Sequence, residues 1–217
     1  ALGSSTMALD GDTTEWGWNA AVDFKPMDNL NFALTYRSKV DLGWEGDATV
    51  SIPGMGTIAT GGGTTVPAPA VLAFSTAYTV GDFTFDLTID QTFWSDYEDL
   101  VIEFDLLPNV EQTKDWEDTI AVRLGVDYRL NDTVTLMAGI AYDENPVPDE
   151  HVGFELPDSD AWLFSFGAKF QVTENMQVGG ALLYDYKEER DVTTSTINGT
   201  FSNASAILVS AGIAYQF

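Results

Sequence analysis

One pattern limits what this chain can fold into: apolar and polar residues alternate with a period of two along nearly all of its length. Side chains of a strand point to opposite faces in turn, so period two means strands with one apolar face. The runs are Trp16, Trp18, Ala20, Val22, Phe24; then Leu30, Phe32, Leu34, Tyr36; then Leu72, Phe74, Thr76, Tyr78; then Phe83, Phe85, Leu87, Ile89, Phe93. They continue as Ile120, Val122, Leu124, Val126, Tyr128; Val134, Leu136, Ala138, Ile140, Tyr142; Trp162, Phe164, Phe166, Ala168, Phe170; and Met176, Val178, Gly180, Leu182, Tyr184. The ninth is Ile207, Val209, Ala211, Ile213, Tyr215, Phe217. No stretch has convincing helical periodicity. Nine strands of about ten residues are therefore expected. Short turns fall at 26–29, 81–82, 131–132 and 173–175, and long polar loops at 40–66, 96–116, 144–159 and 187–203.

Period alone does not say which face meets water. A soluble sandwich points its large apolar set inward, whereas an outer-membrane barrel points it at lipid and fills the lumen with polar and small residues. The longest apolar run is about five residues, far short of the ~20 a membrane helix needs, while strands of ~9–11 residues do span a bilayer. Short turns alternate with long loops, as spanning barrels require. Aromatics mark the strand ends (Trp16, Tyr36, Tyr78, Tyr128, Tyr142, Trp162, Tyr184, Tyr215), where interfacial girdles lie. The last strand closes on Tyr215-Gln216-Phe217, resembling the outer-membrane assembly signal. The reading is an all-β, antiparallel transmembrane barrel, with a secreted β-sandwich as the competitor. Single-chain bacterial barrels have even strand numbers, so nine strands imply a missing N-terminal part. A start at Ala1-Leu2-Gly3 likewise reads as a processed chain or a piece of a longer one.

Composition removes several function classes. With 34 acidic and 9 basic residues the net charge is −25, which opposes binding to nucleic-acid phosphates. There is no cysteine and one histidine, His151. Disulfides and thiolate chemistry are excluded, and His-based triads and multi-His metal sites nearly so. Aromatics at 12% argue against a disordered acidic chain. Carboxylate clusters such as Asp96-Tyr97-Glu98-Asp99 and Asp158-Ser159-Asp160 suit hard cations, but their spacing is not that of an EF-hand. They read as solvated loop charge or lipopolysaccharide-bridging groups. No catalytic set, cofactor site or metal site is expected.

Specific strings carry a resemblance. Leu9-Asp10-Gly11-Asp12 followed by Trp16-Gly17-Trp18-Asn19-Ala20, then Thr35-Tyr36-Arg37-Ser38-Lys39-Val40, Phe93-Trp94-Ser95-Asp96-Tyr97-Glu98-Asp99-Leu100, Leu124-Gly125-Val126-Asp127-Tyr128, Asn145-Pro146-Val147-Pro148-Asp149 and Leu156-Pro157-Asp158-Ser159-Asp160 together resemble the FadL family of outer-membrane transporters of long-chain fatty acids and hydrocarbons. The likeness is to that family's C-terminal half. It implies that residues 1–217 are the last nine strands of a 14-stranded barrel, without the N-terminal hatch and early strands. It also implies passive uptake of a hydrophobic small molecule in the bacterial outer membrane, among lipid and lipopolysaccharide and with no chemistry on the ligand. A general porin and a structural or adhesive outer-membrane barrel are the alternatives.

Strand parity puts Arg37, Lys39, Arg123 and Lys169 on the inner face. An inward cation can hold a fatty-acid carboxylate, or it can pair with inward Asp23, Asp86, Asp90, Asp127, Asp143 and Asp185. Trp94 lies where the parity slips between Phe93 and Leu100, which reads as a β-bulge and packs or redirects the indole. These five, Arg37, Lys39, Trp94, Arg123 and Lys169, are the candidate ligand-binding residues. The 146–149 segment reads as a rigid exit from strand six, since each proline fixes φ. The apolar, glycine-rich loop with Val50, Ile52, Met55, Ile58 and Val66 reads either as a second place for a hydrophobic ligand to land or as a mobile loop with no binding role. His151 reads as solvated.

Overall fold

The computed structural model describes residues 6–54, 56–154, 156–194 and 197–216. Nine antiparallel strands form one continuous sheet: β2 (Asn19–Met27), β3 (Leu30–Arg37), β6 (Val71–Val80), β7 (Phe83–Thr92), β10 (Thr119–Arg129), β11 (Val134–Asp143), β12 (Ala161–Thr173), β13 (Met176–Lys187) and β16 (Ser205–Tyr215). Each pairs with the next in that order, and β2 and β16 form the two edges. Every strand expected from the alternation is present. Phe217, read as closing the last strand, lies outside the described residues, as do Met55 and residues 1–5. Among the described residues no helix is long and apolar enough to cross a membrane.

The register separates two chemistries. One row across the sheet reads Phe24, Phe32, Thr76, Leu87, Leu124, Ile140, Phe164, Tyr184, Ile207. The adjacent row, on the other face, reads Asp23, Ala33, Ser75, Thr88, Arg123, Ala141, Leu163, Asp185, Ala206. The large apolar face is the uncovered one: Phe24 is 61%, Phe166 60% and Ile213 77% exposed. A soluble sandwich would bury these rings and branches, so the sandwich reading is set aside in favour of a lipid-facing wall. Aromatic pairs bound the band. Trp18–Tyr36 (5.2 Å) and Tyr142–Trp162 (5.1 Å) lie at the long-loop end, and Phe83–Tyr128 (4.6 Å) at the short-turn end. Six residues separate Tyr142 from Leu136, the partner of Tyr128, or about 20 Å along the strand. That suits the apolar band of such walls.

The short turns occur where expected. Gly81 takes φ +59° between β6 and β7, a conformation that a side chain disfavours. The long segments differ from expectation. Residues 40–66, read as a loop, form a hairpin of β4 (Val40–Ile52) and β5 (Gly56–Ala68). It joins β1 (Thr6–Asp12), β8 (Asp99–Phe104) and β9 (Val110–Thr113) in a five-stranded sheet, ordered β1-β4-β5-β8-β9. Gly46 is needed there, since a Cβ would meet the Asp10 carbonyl oxygen at 2.0 Å. The loop at 187–203 carries a small hairpin, β14 (Arg190–Thr193) with β15 (Asn198–Phe201). The parity slip after Phe93 is a short 3-10 turn, Trp94–Asp96, rather than a bulge. The chain leaves β7 through this turn and enters β8 of the other sheet, so no extra strand residue is needed to change the parity.

If the wall faces lipid as described, Phe166→Arg at mid-strand will destabilise the protein in vesicle refolding titrations by about 2–4 kcal/mol. Ala141→Ser, on the opposite face, will stay within about 0.5 kcal/mol.

Candidate ligand site at the outer ends of the strands

The inner face ends, on the long-loop side, in a cavity of about 460 Å³, a size typical of small-molecule sites. Strand ends supply its wall: Arg37 from β3, Val71 from β6, Asp90 and Thr92 from β7, Thr119 and Arg123 from β10, Asp143 from β11 and Lys187 from β13. The connecting segments supply its apolar roof, Trp94, Trp116, Pro146 and Leu156. The cavity thus joins a polar floor to an aromatic and aliphatic cover.

Three of the five expected residues, Arg37, Trp94 and Arg123, meet in this cavity. Two do not. Lys39 lies beyond β3, with Asp41 at 3.1 Å and Asp96 at 3.9 Å, and bridges two outer segments. Lys169 faces inward but lies eight residues along β12 from the outer end, about 26 Å away. It pairs there with Asp127 at 3.6 Å. Arg123 forms an ion pair with Asp90. Pairing with inward aspartates is therefore what the structure displays for Arg123 and Lys169. Arg37 has no ion pair among the described residues and is exposed. Lys187 was not among the expected residues. It continues the inward parity of Asp185 by one step, on a strand that runs past Tyr184 to its end.

Trp94 is held by its neighbours. Its ring meets Trp116 edge-on at 4.8 Å, and Trp116 meets Tyr97 at 5.1 Å. Edge-to-face pairs of this kind favour one geometry. The Ser95 N–H donates to Asp118 at 2.9 Å, and the Tyr97 N–H to the Trp94 carbonyl at 2.8 Å. The 146–149 segment is rigid for more reasons than its prolines. The Val147 N–H donates to the Asn145 side-chain oxygen (3.1 Å), and the Glu117 N–H donates to the Pro146 carbonyl (2.8 Å).

The buried aliphatic cluster of the described residues lies here, in the outer segments: Val147, Val152, Val192 and Ile197, with Trp116 and Phe201 against it. Arg190 fastens it. Its guanidinium donates to Asp149 Oδ1 (2.7 and 2.9 Å) and to the carbonyls of Asp158 (2.6 Å) and Val147 (2.5 Å). His151, expected to be solvated, lies 3.3 Å from Asp115 and ties the 144–159 segment to the one before β10. No group of three potential metal-ligating side chains gathers among the described residues.

The family described as outer membrane protein transport protein (OMPP1/FadL/TodX) matches residues 2–217. The chain belongs to this family. A 47 kDa outer membrane protein of Pasteurella multocida is 29% identical over 96% of this chain and 52% of its own length. The long-chain fatty acid transport protein of Escherichia coli K12 is 27% identical over 81% of this chain and 43% of its own. The crystal structure of a Pseudomonas aeruginosa FadL homologue superposes with a TM-score of 0.87 at 19% identity, over 97% of this chain and 54% of that one. The chain spans about half the length of the relatives it matches. The FadL-type strands are those of an outer-membrane wall, and the family is one of transport proteins, not enzymes.

Arg190 gives this FadL-type mouth a specific test. Arg190→Ala removes four hydrogen bonds, two of them to the Asp158 and Val147 carbonyls, at a cost of about 1–3 kcal/mol to the outer cluster. Hydrogen exchange will show lost protection at Val147, Val192 and Ile197 while the nine-stranded sheet stays protected.

Proposed function

We propose that the chain contributes wall strands and an outer ligand cavity to an outer-membrane transporter that passively takes up long-chain fatty acids or related hydrophobic compounds. The observation that carries this reading is the cavity itself. It opens at the outer ends of the strands, on the inner face, and places Trp94, Trp116 and Leu156 beside polar strand ends. A hydrophobic solute crossing an envelope coated with polar saccharide gains about 0.8 kcal/mol for each CH₂ that leaves water. An aromatic cover supplies that burial without trapping the solute covalently. Below it the inner rows mix polar groups with Met137, Leu163 and Leu183, so a hydrophobic ligand leaving the mouth meets further apolar contacts. Membership of the family and the name of the E. coli relative support the substrate class. Residues 1–217 are proposed to be the C-terminal part of such a barrel, with Arg37, Trp94 and Arg123 in the ligand site and Lys39 and Lys169 outside it.

The test is uptake of labelled oleate and hexadecane by cells that lack their own transporter and express the full-length protein. Saturable uptake of at least one of the two is expected. Trp94→Ala should weaken the apparent affinity about tenfold (about 1.4 kcal/mol), with Leu156→Asp weaker still. Porin-like ion conductance without saturable uptake would contradict the reading.

A further inference from the structure

Resting on that reading of the cavity, we propose that it selects uncharged hydrophobic compounds and discriminates against anionic ones. Three cations line it: Arg37, Arg123 and Lys187. Two are already neutralised, Arg123 by Asp90 and Lys187 by Asp158 at 2.8 Å. Beyond those partners, Asp143 and Glu144 also line the cavity, and neither has an ion pair among the described residues. Glu144 instead accepts the Ile120 N–H at 2.8 Å. The lining thus carries four carboxylates, Asp90, Asp143, Glu144 and Asp158, against three cations, and Asp143 already lies in the fields of Arg123 and Lys187.

The register shows why the carboxylates crowd the floor. Asp90 and Asp143 both face Ala121, one on each side, and Ala161 separates Asp143 from Lys187. Ala121 and Ala161 are buried, at 4% and 2% exposed, so charged side chains close over them. An incoming carboxylate must shed water. It must then either share Arg37 under the field of Asp143 and Glu144, or displace Asp90 or Asp158 from a formed pair. Displacement leaves a half-buried carboxylate without a partner, a strongly unfavourable outcome. A hydroxyl, ester or bare hydrocarbon meets neither cost and keeps the contacts with Trp94, Trp116 and Leu156.

A second, independent observation acts before the cavity is reached. Most of the 34 acidic residues lie in the outer segments, where the cations are Lys39, Lys114, Lys187 and Arg190. A one-signed surface lowers the local concentration of like-charged solutes, over a range of about 8 Å at physiological salt. Anions are thinned out at the mouth and refused at the floor, while neutral solutes feel neither effect.

The experiment compares two twelve-carbon probes, dodecanoate and dodecan-1-ol. They are titrated calorimetrically into the full-length protein in nonionic detergent at pH 8, with each probe's partition into detergent alone subtracted. Dodecan-1-ol should bind at least tenfold more tightly. Asp158→Asn releases Lys187 and should improve dodecanoate at least fivefold relative to dodecan-1-ol. Dodecanoate binding as tightly as the alcohol in the parent protein, or an unchanged ratio in the variant, overturns the proposal and leaves the transport site standing. Failure of both probes to bind removes the transport site, and the proposal with it.

Discussion

A backbone that crosses hydrocarbon has no water to satisfy its N–H and C=O groups, so each must pair within the wall. That constraint fixes the rest of this structure. The ladder runs without a break from β2 to β16 through nine strands. Because neighbouring residues on a strand face opposite sides, one register assigns every side chain to lipid or to lumen. Phe164 faces lipid and Leu163 the interior because the ladder leaves no third option. A slip of one residue would exchange the two faces everywhere.

The same division explains why the conventional core is small and misplaced by soluble standards. The cluster of Val147, Val152, Val192 and Ile197 lies in the outer segments, beyond the strands. There water returns and apolar burial is again favourable. Inside the wall, small residues and ion pairs replace a core: Arg123 with Asp90, Lys169 with Asp127. Some inner-face cations find carboxylate partners, and those that do are less available to a ligand. Scarcity of cations in a chain of net charge −25 turns this pairing into selectivity.

The nine strands were legible because alternation is a direct image of the lipid and lumen faces. Arg37 and Arg123 were legible as inner-face residues near strand ends, whereas Trp94 lies past β7, in the turn that the sequence suggested as a bulge, and reaches the cavity from there. Lys169 shows what parity omits: it names the face but not the height, and the short turn after β12 marks the far end. Lys39 fell just past the strand, where parity no longer holds. Trp116 and Leu156 reach the cavity through tertiary folding of the outer segments, which no local pattern records. The β4–β5 hairpin is a different case. Val40, Leu42, Trp44, Ala48, Val50 and Ile52 alternate over the whole of β4. Glycine content suggested a loop, but here glycine serves close approach between strands, as Gly46 does against Asp10. Periodicity carried the signal and composition concealed it.

The division of the wall into lipid-facing rows and interior rows is open to nitroxide labels at positions 163, 164, 165 and 166 of the full-length protein in bilayers. Collision with dissolved oxygen is expected at 164 and 166 and with a water-soluble nickel chelate at 163 and 165, a strict period of two. Oxygen access at 163 and 165 instead, or no alternation at all, would contradict it.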